Sequence, residues 1–168
     1  TLFITVGDRT VRSDAQHPGL LTGKVIRLND DGSVPADNPL LDQPGTHHPA
    51  VYALGVRNSQ GMVRDPDSGH IYMTDHGPMG GDEVNRLEAG KNYGWPVITY
   101  GLNYTYRAIG EGTAKDGMEQ PLYYYLPSIA TSPIPPVSPR NSLCPRTGSS
   151  SPATATVCAS RRGGAASP

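Results

Sequence analysis

Apolar and polar positions along this chain alternate with a period of two over short stretches, and no window sustains a 3.6-residue period. Leu2–Val6 alternates, and so does Lys24–Leu28, which ends in the turn Asn29-Asp30-Asp31-Gly32. Gly61–Arg64 is predicted to pair with His70–Thr74 across Asp65-Pro66-Asp67-Ser68-Gly69, and Val84–Leu87 forms a further short strand closed by Ala89-Gly90. Aspartates accept hydrogen bonds from turn amides and glycines take positive φ, so each connection has a mechanism as a hairpin. The pattern predicts an all-β meander, best accommodated as blades of a propeller. A blade takes about four strands and roughly 40–50 residues, so the ordered part of the chain is expected to supply about three blades.

Composition agrees with a loop-rich β protein. The chain has 20 glycines and 17 prolines in 168 residues, which favours turns over long helices. Aromatic residues are mostly tyrosine, so the core rests on Val, Ile and Leu. The net charge of −1 gives no reason to expect a nucleic-acid or anionic-membrane partner. No apolar run reaches the roughly 20 residues that would insert in a membrane as a spanning helix. The opening residues TLFITVGD read as the middle of a strand without an initiating methionine, so the chain is expected to be cut at its front end, and its lack of a signal peptide says nothing of compartment.

A discontinuity falls near Pro135. From there to Pro168 no Asp, Glu, Lys or aromatic residue occurs, and four arginines stand without an acid. Such a Pro/Ser/Ala/Arg mixture buries too little apolar surface to offset its ordering entropy, so residues 135–168 are expected to be a disordered tail beyond a β body of residues 1–134. The tail reads either as a natural linker or as a shifted reading frame of a GC-rich gene. Both cysteines, Cys144 and Cys158, lie in it and give no redox compartment for the body.

Candidate chemistry concentrates between Tyr52 and Tyr104. A polar loop (Arg57, Asn58, Gln60), a glycine-rich acidic loop (Gly77 to Glu83) and an aromatic turn (Asn92 to Pro96) sit between short strands, as a site built on a β scaffold would. Gly77 to Gly81 lacks the lysine pattern of a phosphate-binding loop. His47 and His48 have no carboxylate at ligand spacing and read as a surface pair. His76, just before the glycine loop, is a candidate for the cleft lining and reads more simply as a turn histidine.

The segments LFITVGDR, GKVIRLNDDGSVPADNPL, YALGVRNSQGM, DHGPMGGDEVNRLEAGKNYGWP and TYGLNY, with a weaker YYYLPSIATSPI, resemble the pyrroloquinoline-quinone (PQQ)-dependent soluble aldose sugar dehydrogenases of the glucose/sorbosone dehydrogenase family. The resemblance covers Thr1 to about Ile134 and implies part of a six-bladed β-propeller. It implies oxidation of an aldose at its anomeric carbon to a lactone, with hydride passing to PQQ, electrons passing to an external acceptor, and a periplasmic or secreted location. Arg57 and Asn58 would contact the quinone, Arg57 stabilising its reduced form, and Gln60 would support them. A polycarboxylate quinone calls for forked and amide donors, and the spacing R-N-x-Q places all three within one loop's reach. These residues could instead merely satisfy loop carbonyls. By the same resemblance the carbonyls of Gly77 and Pro78 would hold the calcium that clamps the quinone, while Glu83 and the Tyr93 carbonyl match a second calcium position. Asp82 and Glu83 could instead be solvated strand-edge charges, with Tyr93 to Pro96 a packed turn. Arg9 would fall near the substrate mouth.

The histidine that serves such enzymes as general base lies upstream of LFITVGDR, so this chain alone is expected to be inactive. Two other readings stand beside the enzyme: a non-catalytic propeller that binds sugars or proteins, and a gene remnant without a role.

Overall fold

The computed structural model describes residues 1–42 and 45–131. The tail expected from Pro135, with both cysteines, lies outside them, and all described residues belong to one compact unit, Thr1–Pro136.

Among the described residues seven strands account for nearly all the regular structure: β1 (Leu2–Val6), β2 (Lys24–Leu28), β3 (Val51–Leu54), β4 (Ser59–Arg64), β5 (Ile71–Asp75), β6 (Asp82–Leu87) and β7 (Tyr123–Tyr125). A short 3-10 turn, Arg12–Gln16, lies between β1 and β2. The strands form two antiparallel sheets in sequence order, β1-β2-β3 and β4-β5-β6-β7. Length arithmetic predicts about three blades; two sheets form among the described residues. The reason is that long connections, residues 29–42 with 45–50 and residues 88–122, carry chain without carrying strands.

The β1 and β2 boundaries are those expected from the alternation. The β4–β5 hairpin closes as its turn chemistry predicts, with the Asp65 amide donating to the His70 carbonyl at 2.8 Å and the Gly69 amide to that of Asp65 at 2.9 Å. Strands β3 and β7 were not legible, being four and three residues long. Alternation sorts β2 between two cores. Val25 joins Ala53, Val56, Met73, Leu87 and Tyr93 in a cluster drawing on both sheets. Ile26 turns to the opposite face with Leu40, Ala50 and Val51, which the 29–50 connection covers. Each fully buried side chain of this size contributes roughly 1.5–3 kcal/mol, so the shared cluster fixes one sheet against the other.

Lys24 opens β2 with its whole side chain buried. Its ammonium donates to the carbonyls of Asp14 (2.7 Å), Ala15 (3.0 Å) and Thr22 (2.7 Å), so three acceptors compensate the buried charge. Burial still pulls its pKa down to about 8, against the pull of Asp14. The clamp holds the 3-10 turn, whose Gln16 donates to Asn92 Oδ1 (3.0 Å) and to the Trp95 carbonyl (2.7 Å). The first sheet thereby reaches the aromatic turn that borders the candidate site.

Candidate functional site

The cleft forms where three connections of the second sheet converge: the loop before β4, the glycine loop between β5 and β6, and the turn after β6. The first loop enters at Gly55, whose φ is +76°; a Cβ there would lie 2.2 Å from Asn92 Oδ1 and 2.6 Å from the Gly94 amide. Only glycine permits this approach. The loop then passes Asp75, the last residue of β5, whose buried carboxylate accepts the Arg57 amide at 2.8 Å and the Asn58 amide at 2.6 Å. Arg57 extends its guanidinium so that Nη1 donates to both the His76 and the Gly77 carbonyls at 2.8 Å. The guanidinium also lies over the Trp95 ring, 5.4 Å from its centroid, a favourable placement of a cation on an aromatic face. Arg12 approaches the same ring at 5.5 Å.

The glycine loop turns back at Gly81, where a Cβ would lie 2.5 Å from the Gly101 amide. Asp82 opens β6 with its side chain wholly buried. Oδ1 accepts the Gly77 amide (2.9 Å) and the Ser128 hydroxyl (2.6 Å); Oδ2 accepts the amides of Ile129 (3.0 Å) and Ala130 (2.7 Å). Burial alone would raise this carboxyl, but the four donors outweigh it and hold it below the usual carboxylate range. The reading of Asp82 as a solvated edge charge is therefore corrected: it ties the glycine loop to residues 128–130.

Glu83 stands directly across from Asp75 in the β5–β6 register. Two neighbouring carboxylates in one cleft cannot both ionise cheaply. Burial, reinforced by the Asp75 charge, pushes Glu83 up to about 8 even though Asn85 Nδ2 donates to it at 3.1 Å. Burial likewise raises Asp75 to about 6, against the pull of the Arg57 and Asn58 amides. Neither carboxylate forms an ion pair within 4 Å among the described residues. Tyr93 forms part of the wall; its phenol donates to the Arg86 carbonyl at 2.6 Å and accepts the Glu88 amide at 2.9 Å, so its side chain is committed to the turn.

Of the residues singled out from sequence, Arg57, Gly77, Glu83 and Tyr93 line one cleft, with Asp75, His76, Gly81, Trp95, Ile98 and Thr99. Asn58 adjoins it through its backbone, and Pro78 is buried beside Gly101. Gln60 is not in the loop: it lies exposed on β4, at the irregularity where the register skips between Ser59 and Gly61. His76 does more than turn the chain, since its ring Nε2 lies 2.6 Å from the Thr131 carbonyl as its own carbonyl receives Arg57. Arg9 is exposed at φ +52°, in a turn held where Asp8 accepts the Thr10 amide. His47 contacts Thr46 and His48 accepts the Ala50 amide, both within their own loop. Sequence reasoning missed Asp75 and Asp8, the latter accepting the Trp95 indole N–H at 2.8 Å. The only signal was an acid at the very end of each of two apolar strand segments, ITVGD and IYMTD.

An all-β scaffold thus brings a guanidinium, a carboxylate pair and a glycine loop to one cleft on part of a β-propeller. The glucose/sorbosone dehydrogenase family matches residues 1–138, and the chain belongs to that family. It is 43% identical over 133 residues to the aldose sugar dehydrogenase YliI of Escherichia coli, covering 78% of this chain and 36% of that protein. The apo crystal structure of the soluble aldose sugar dehydrogenase from Escherichia coli superimposes with a TM-score of 0.75 at 41% identity, over 78% of this chain and 38% of the other. The PQQ-bound aldose sugar dehydrogenase of Streptomyces coelicolor superimposes with a TM-score of 0.58 at 28% identity, over 73% and 31%. The chain thus spans about a third of the length of these relatives. No helix among the described residues is long and apolar enough to cross a membrane.

Proposed function

We propose that this chain carries the cofactor side of a PQQ-dependent aldose dehydrogenase, which oxidises the anomeric carbon of an aldose to a lactone and passes the electrons to an external acceptor. The observation that carries the reading is the meeting of the Arg57 guanidinium, the Gly77 loop and the Asp75–Glu83 pair in a single cleft.

The donor set fits both groups. PQQ offers carboxylates and quinone oxygens, which suit Arg57 and the Asn58 amide group. Calcium prefers oxygen ligands; the carbonyls of Gly77 and Pro78 would hold the calcium that clamps the quinone, and the Glu83 carboxylate and the Tyr93 carbonyl would hold a second one. A carboxylate pair that burial holds partly protonated is a site that a cation would ionise and relieve. Asn85 adds a buried Oδ1 without a partner beside Glu83.

When bound, the quinone supplies the hydride acceptor and the calcium ion supplies Lewis acidity. The residues of this chain orient and balance charge. Arg57, fixed over Trp95 and by two carbonyls, would present a positive charge to the quinone and balance the charge of its reduced form without reorganising. Trp95 and Ile98 keep one wall of the cleft apolar and limit water there. The proton acceptor for the sugar hydroxyl is assigned to no residue of this chain, so the segment alone is expected to bind and not to turn over. A periplasmic or secreted setting suits the substrate class.

The test has two arms. The chain is titrated with PQQ in the presence of calcium while emission of Trp95, its sole tryptophan, is followed. Saturable quenching that is lost in Arg57→Ala and by calcium chelation supports the reading. Separately, residues 1–134 replace the matching segment of the Escherichia coli aldose sugar dehydrogenase. A chimera that oxidises aldoses with an added electron acceptor supports it, and a folded chimera that takes up neither quinone nor calcium overturns it.

A further inference from the structure

We infer that Asp75 is the positioning residue of the Arg57–Asn58 pair: its carboxylate gathers both backbone amides and so sets where the two side chains enter the cleft. This rests on the cofactor-side reading above and adds a residue that the R-N-x-Q motif does not contain.

The geometry is specific. Arg57 and Asn58 precede β4, and the first residue of β4, Ser59, is the ladder partner of Asp75. Just before the ladder begins, Oδ2 takes the Arg57 amide and Oδ1 the Asn58 amide, so one carboxylate satisfies two successive donors. Two consecutive N–H groups converge on one anion only if the backbone between them bends, and that bend sends Arg57 toward the glycine loop. The Asn58 carbonyl then receives the His76 amide at 3.1 Å, and the Arg57 carbonyl receives the Asp8 amide at 2.9 Å. Every backbone group of the pair thus has a partner, and the guanidinium reaches the carbonyls of the two residues that directly follow Asp75. The carboxylate and the guanidinium close a ring through the backbone: Asp75 to the Arg57 amide, Arg57 Nη1 to His76 and Gly77, and back along the chain to Asp75.

The side chain must carry two acceptors in one plane, 5% exposed at the end of a strand. Asparagine has the same shape but turns an NH2 toward one of the two amides. Glutamate keeps both acceptors but is one methylene too long for both bonds.

The experiment reads the chain itself, without quinone. Nitrogen-15 spectra and hydrogen exchange of the Arg57 and Asn58 amides are compared in the native chain, Asp75→Asn and Asp75→Glu. Strong downfield shifts are expected in the native chain. In Asp75→Asn one or both should be lost, with at least about tenfold faster exchange at the two positions and a change in Trp95 emission as the guanidinium leaves the indole. Exchange in β1 and β2 should stay unchanged, which separates positioning from general destabilisation. If Asp75→Asn does not fold, Asp75→Glu supplies the readout, shifting both resonances together. In calcium, the Kd for PQQ should rise about tenfold in Asp75→Asn and recover in part in Asp75→Glu. Amide shifts and exchange at 57 and 58 that are the same in native chain and variant overturn the inference. A native chain that takes up no PQQ, while both amides still respond to Asp75→Asn, overturns the cofactor reading and leaves the positioning role standing.

Discussion

Removing the charge of Glu83 should change how stability depends on pH, and the sign follows from the fold. Glu83 rises from 4.5 to about 8 and Asp75 from 3.8 to about 6, because burial places the two carboxyls together without an ion pair. A carboxyl whose folded pKa lies above its unfolded value binds more protons when folded, so its contribution is fully present below the unfolded pKa and is lost as pH rises through the folded one. The metal-free chain should therefore weaken steadily from pH 4.5 to pH 8. For Glu83 alone the gap corresponds to ~5 kcal/mol at about 1.4 kcal/mol per pKa unit. The pair shares its protons and the open side of the cleft is screened by water, which brings the expected loss to about 2–3 kcal/mol. Urea denaturation in EDTA at half-unit pH steps measures this directly. Glu83→Gln keeps the Asn85 contact without the proton, so its slope above pH 6 should be nearly flat. Calcium at pH 8 should restore the native chain and leave Glu83→Gln unmoved. A native chain equally stable at pH 5 and pH 8 in EDTA, or a variant that keeps the native slope, refutes the account of the buried pair.

Three further expectations concern how the scaffold holds the site. Met73→Ala, in the cluster shared by the two sheets, should cost about 2–5 kcal/mol in denaturant melts and leave the midpoint of any calcium response unchanged. Asp82→Ala strands the Gly77, Ile129 and Ala130 amides and the Ser128 hydroxyl, so a loss of at least about 3 kcal/mol is expected. Because the Asp82 carboxyl is held low, its charge-linked contribution should be present above pH 3.8 and be lost as pH falls below it, and the variant should show no such acid step. Lys24→Met leaves the Asp14, Ala15 and Thr22 carbonyls without their donor and should cost about 1–3 kcal/mol. The same variant should shift Trp95 emission, since the turn Lys24 holds is bonded to the Trp95 carbonyl through Gln16.

What could be read from sequence and what could not divide along a physical line. Strands with a turn of defined chemistry at one end, such as β2 before Asn29-Asp30-Asp31-Gly32 and the β4–β5 hairpin around Asp65–Gly69, were legible because alternation and turn residues agree. Strand β3 was not, because four residues of VYAL show too little period, and its place is set by pairing with β2. Arg57, Gly77, Glu83 and Tyr93 come together in one cleft because polar and glycine-rich loops gather at the ends of rigid strands. Gln60 was misplaced because a register irregularity puts it on the strand, and spacing alone does not reveal irregularities. The residues that organise the cleft escaped for a different reason. Asp75, Asp82 and Lys24 act chiefly on backbone amides and carbonyls, which carry no side-chain signature, and Asp8 acts on the indole N–H of a residue 87 positions away. A charged residue at the first or last position of a strand is the mark that Lys24, Asp75 and Asp82 share, while Asp8 follows the end of β1 by two residues. That placement follows from the pleat, because a strand end is where a side chain can still reach the amides and carbonyls of a neighbouring loop while its own backbone remains in the ladder. The cleft is held by such strand-end charges, and the loops between them supply the groups that would meet a ligand.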